Sequence, residues 1–101
     1  MSKWHFHFPQ DYDSDAAIIE AKGWMTGVLE VQSTRYVIHF YCIERLTQDI
    51  EEELARGRFF HEKNIIVVRH VTEESILRAV EYLVSVITDP EGPVAAFPHE
   101  D

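Results

Sequence analysis

Two adjacent runs of alternating side chains constrain this chain more than anything else in it. Residues 26–32 and 35–43 flank the polar tripeptide Gln32-Ser33-Thr34, which is the pattern of a β-hairpin. In the first run Leu29 and Val31 share a face, opposite Glu30 and Gln32. In the second, Tyr36, Ile38, Phe40 and Cys42 share one face, with Val37, His39 and Tyr41 on the other. Successive strand side chains point to opposite faces of a sheet. A strand that is bulky on both faces belongs near the sheet's centre.

The flanking sequence extends this sheet. Residues 4–8 alternate aromatic and histidine and stop at Pro9, a strand with one apolar face. Residues 16–22 admit two readings. Ser14 or Asp13 would cap a short helix closed by Gly23, whereas the Ile18-Ile19 pair suits a strand, and a strand is the expectation. Further on the period changes. Leu46, Ile50 and Leu54 repeat every fourth residue, with Thr47 as the expected N-cap and Arg56-Gly57 as the stop. Ile65-Ile66-Val67-Val68 is a β-branched run of the kind found in strands covered on both faces, so it is expected to insert beside a strand of the meander. Thr72 then caps a helix whose buried face holds Ile76, Leu77, Val80, Leu83, Val84 and Ile87 at three-four spacing.

The expected architecture is therefore α+β in the order ββββαβα. A mainly antiparallel sheet, a meander of about four strands plus a fifth, carries two helices on one face. Residues 1–88 form one domain in this reading. Residues 89–101, with three prolines, four acids and no base, form a loosely ordered acidic tail.

Charge narrows the partners. Eighteen Asp and Glu against nine Lys and Arg leave a net charge of −9, which repels phosphate backbones and anionic lipid and attracts basic surfaces. The excess is local. Residues 44–57 hold five acids and two bases, while residues 58–88 balance at four of each. The acidic run Glu51, Glu52 and Glu53 is accordingly the expected partner-binding face, with Trp24 as a contact residue if exposed. Neither nucleic acid nor membrane is an expected partner. Cys42 is the only cysteine, which fits a reducing compartment, and the N-terminus lacks the apolar core of a signal peptide, so a cytoplasmic location is expected.

The chemistry-bearing residues form no assembled motif. His5 and His7 in a strand point to one face about 7 Å apart and would hold a metal only if His39 or His61 joined them. Asp11, Asp13 and Asp15 open like a calcium loop, but Ala16 and Lys22 stand where such a loop needs Gly and Glu. Cys42 lies in an apolar strand, its neighbour His39 facing the other way. His61-Glu62 and His70 flank the strand at Ile65 as an acid-base pair without fixed geometry. No catalytic residue and no cofactor is expected. The leading functional expectation is a non-enzymatic protein-binding or regulatory module, in the manner of an inhibitor or immunity protein, or a self-associating homodimer. The alternative is a small histidine-based metal-binding protein or enzyme.

Overall fold

A computed structural model describes residues 3–87. The elements in order are β1 (Trp4–His7), α1 (Tyr12–Lys22), β2 (Trp24–Val31), β3 (Thr34–Tyr41), α2 (Ile43–Ala55), β4 (Ile65–Val67) and α3 (Glu73–Ile87). The tail expected at residues 89–101 lies outside the described residues. The class is α+β, as expected. Among the described residues, however, the sheet is mixed and four-stranded, in the order β1-β2-β3-β4, and three helices accompany it.

The hairpin stands where the alternation puts it. β2 and β3 pair antiparallel from Trp24↔Tyr41 to Val31↔Thr34, joined by Gln32 and Ser33, which have φ of 49° and 74°. Two consecutive positive φ values make the tight turn whose twist matches the flanking strands. β1 adds to the other side of β2, with Phe6 opposite Leu29. One face of the sheet is the core. Leu29, Ile38 and Phe40 are fully buried there, against Ile76 and Val80 of α3. The ring of Phe6 takes the space that a Cβ on Gly27 would need.

α3 forms as its sequence dictates, with Thr72 accepting a hydrogen bond from the Ser75 backbone N–H at 3.3 Å and Glu73 and Glu74 in the first turn.

Four expectations are corrected. Residues 16–22 belong to helix α1 and not to a strand, so the described residues hold four strands and not five. Tyr12 anchors the helix start in the core, Asp13 and Asp15 sit at its positive end, and Gly23 closes it at φ 80° by donating to the Ile19 carbonyl at 2.9 Å. Of the Ile18-Ile19 pair, only Ile19 packs on the core while Ile18 is exposed. β4 does lie beside a strand of the meander, β3, but it is a parallel edge strand of three residues and not a strand covered on both faces. The chain leaves β3 at Tyr41 and must return through α2 before pairing beside His39, a crossover that yields a parallel pair. α2 begins at Ile43, one turn before Thr47, with Cys42 as its N-cap. Finally, the helices do not all share one face. α1 and α3 contribute to the core, whereas α2 buries no residue.

Candidate functional site

The second face of the sheet carries His5, His7, Thr26, Val28, Val37, His39, Tyr41, Ile65 and Val67, by the alternation of each strand and the pairing between them. At its Tyr41 end the face meets α2 and the connection from α2 to β4. There, Tyr41, Asp49, Glu52, Glu53, Phe59, Phe60, His61 and Glu62 line an open pocket of about 320 Å³.

A polar network fixes its inner wall. The Tyr41 hydroxyl donates to both oxygens of Glu62, at 3.1 and 3.3 Å. Glu62 Oε1 also lies 3.4 Å from His39 Nδ1, and the same nitrogen is 2.8 Å from Thr26 Oγ1. A carboxylate only accepts, so a proton on Nδ1 serves the contact with Glu62. Burial, then the hydrogen bond to Glu62 and the negative charges of Glu62 and Asp49, push the Tyr41 hydroxyl up to about 12. Tyr41 is thus a fixed donor at neutral pH and not a base. The loop behind it is held by backbone. His39 N–H donates to the Asn64 carbonyl at 3.0 Å, Val68 N–H to the Tyr41 carbonyl at 2.8 Å, and the Asn64 side-chain amide to the Val37 carbonyl at 3.0 Å.

The carboxylates of the outer wall are unequally compensated. Asp49 accepts from Arg45 at 2.9 Å and Glu53 pairs with Arg58 at 2.9 Å. Glu52 has no ion-pair partner among the described residues, and Glu62 faces a neutral phenol and an imidazole. With neutral histidines the pocket keeps an excess of two negative charges beside three aromatic rings. Such a site attracts cations, since carboxylates accept charge-assisted hydrogen bonds and ring faces attract positive charge.

The expected site residues are distributed unevenly about this pocket. Glu52 and Glu53 line it. Glu51 does not, because successive helix residues are turned by about 100° and the run of three cannot form one face. His61 lines the pocket, and His39 stands behind it. His5 and His7 lie elsewhere, on β1, with ring centroids 4.4 Å apart, and His7 Nε2 is 3.0 Å from Glu30 Oε1. That hydrogen bond is the main reason the Glu30 carboxyl is held below its ordinary range, with help from the charge of Arg35. Among the described residues no group of three or more His, Cys, Asp or Glu is arranged to hold a metal ion.

Trp24 opens β2. It is half-buried, with the Arg45 guanidinium 5.8 Å from its ring centre, and it lines a separate small groove with Pro9 and Ile19. Cys42 packs at the core edge, and a Cβ on Gly23 would stand 2.5 Å from its sulfur.

Tyr41, Asp49 and the pairing of Glu62 with His39 are the site features that sequence reading does not find. The available signal was Phe59-Phe60-His61-Glu62, two aromatics and an acid outside any periodic element.

Comparisons with protein-family models, with curated proteins and with solved structures return no match to this chain. Among the described residues no helix is long and apolar enough to cross a membrane.

Proposed function

We propose that this protein is a non-enzymatic protein-binding or regulatory module, one that covers a basic surface of another protein and receives a lysine or arginine side chain in the Tyr41–Glu62 pocket. The observation that carries this reading is the pocket itself: four carboxylates, of which Glu52 and Glu62 lack a guanidinium partner among the described residues, beside Tyr41, Phe59 and Phe60. Its volume of about 320 Å³ is at the small end of ligand sites, which suits one extended cationic side chain. The net charge of −9 supports the same partner class by steering basic surfaces toward the chain. The lone cysteine, Cys42, supports a reducing compartment such as the cytoplasm as the place of action.

The test uses N-acetyl-arginine amide as the probe, titrated into isotopically labelled protein and followed by amide chemical shifts. The expected result is saturable shifts centred on residues 59–62, weakened by added salt and removed by Glu52→Gln and by Phe59→Ala. Shifts that are scattered over the acidic surface, or that survive both substitutions, would sink the proposal.

A further inference from the structure

Helix α2 carries an apolar stripe that the rest of the protein covers only in part. Ile43, Leu46, Ile50 and Leu54 recur at three-four spacing and form a single stripe. Leu46 and Ile50 are half-buried, Ile43 and Leu54 are exposed, and none of the four belongs to the core or packs against it. Polar side chains help to dock the helix. Arg45 donates to the Lys22 carbonyl at 3.2 Å and stands over Trp24, while Asp49, Glu52 and Glu53 face the pocket. At about 100° per residue these docking residues fill one sector of the helix and the apolar stripe fills the sector beside it.

The stripe is strongly exposed at both ends, 56% at Ile43 and 58% at Leu54. It continues onto the sheet edge, since Ile43 lines a groove of about 480 Å³ with Glu44, Val67, Val68, Arg69 and His70. A contiguous apolar strip of this kind on a charged domain marks an interaction surface.

Charge says what covers it. Glu44 and Glu51 border the stripe on one side and Glu53 on the other, and neither Glu44 nor Glu51 has an ion-pair partner among the described residues. At the Ile43 end, Arg69 and His70 line that groove beside Glu44. We propose that the α2 stripe is the seat of an amphipathic helix of another protein, with its apolar face bordered by lysine or arginine. A second copy of this chain would set acidic margin against acidic margin between two bodies of charge −9. The inference rests on the protein-binding reading and adds the shape of the partner, but it uses a surface separate from the pocket.

The experiment uses the full chain and a labelled synthetic 18-residue helical peptide with leucines at i, i+3, i+4 and i+7 and lysines along both borders. Its twin has every lysine replaced by glutamate. Fluorescence anisotropy is expected to show binding of the lysine peptide alone. The double variant Ile43→Ser with Leu54→Ser, folded by circular dichroism, should weaken it by about tenfold or more, and Glu44→Gln with Glu51→Gln should weaken it less and flatten its salt dependence. Phe59→Ala should leave it unchanged. Equal binding of the two peptides, no binding of either, or indifference to the Ile43 and Leu54 substitutions overturns the proposal. So does a dimer in sedimentation equilibrium that Leu54→Ser dissociates, which would make a second copy the occupant. Failure of the arginine probe at the pocket, with the lysine peptide bound at the stripe, would remove the pocket reading and leave this one standing.

Discussion

The Tyr41 hydroxyl and the Glu62 carboxylate, 21 residues apart, meet at 3.1 Å and tie the end of β3 to the segment that leads into β4. Tyr41 is only 5% exposed, so the bond closes the inner wall of the acidic pocket from beneath. Its geometry leaves Glu62 accepting from Tyr41 on the inside and open to a cation on the outside.

Burial of Tyr41 and its bond to Glu62 together make stability fall in strong base. The unfolded chain releases the Tyr41 proton near 10 and the folded protein near 12. Between those values the folded state holds a proton that the unfolded state has lost. The contribution is therefore complete below pH 10 and disappears as pH rises to 12, about 2–3 kcal/mol across the window. Chemical denaturation at stepped pH should show that loss in the wild type and a smaller one in Tyr41→Phe. Equal slopes for the two proteins would contradict the raised Tyr41 titration.

Helix α2 should tolerate what α3 does not. Ile76 is fully buried and Leu54 is 58% exposed. Ile76→Ala is expected to cost about 2–5 kcal/mol through lost burial and a residual cavity, and Leu54→Ser to stay within about 0.5 kcal/mol. Urea midpoints of the two variants decide the matter, and comparable losses would mean that α2 supports the core after all.

Gly27 should resist even the smallest side chain. Its backbone is ordinary, but the Phe6 ring occupies the position of a Cβ, with the His7 carbonyl 3.0 Å away. Gly27→Ala is expected to cost roughly 1–3 kcal/mol by overpacking. Adding Phe6→Leu should recover part of that loss, a coupling readable in a double-mutant cycle of thermal unfolding.

The β2–β3 turn leaves room for improvement. Gln32 and Ser33 both hold positive φ, a conformation that asparagine and glycine adopt more readily. Gln32→Asn with Ser33→Gly should raise stability by about 1 kcal/mol. A lower urea midpoint in that variant would show that one of the native side chains makes a contact worth more than the strain.

On β1, His7→Ala should let the Glu30 carboxyl titrate closer to its ordinary range, because the His7 hydrogen bond is the leading cause of its depression. Carbon-detected NMR titration of Glu30 reads this directly. An unmoved titration curve would point to Arg35 instead.

The sequence by itself determined the elements whose signals are local and periodic. Alternation set the faces of β2 and β3, so Leu29, Ile38 and Phe40 could be placed together on the core face, and three-four spacing with a threonine cap set α3. Where local signals were balanced, tertiary structure decided. Residues 16–22 are a helix because Tyr12 finds a place in the core and Gly23 can close the turn. β4 lies at an edge because the α2 crossover delivers it parallel to β3. The acid run at Glu51–Glu53 was visible, but which of its members share a surface was not, since that depends on how the helix is rotated against Trp24 and Tyr41. Tyr41, Glu62, His39 and Thr26 converge through pairings that span 13 to 23 residues of chain. Periodicity reports which way a side chain points within its own element. Contacts between elements depend on how the chain returns, and that was settled only when the sheet assembled.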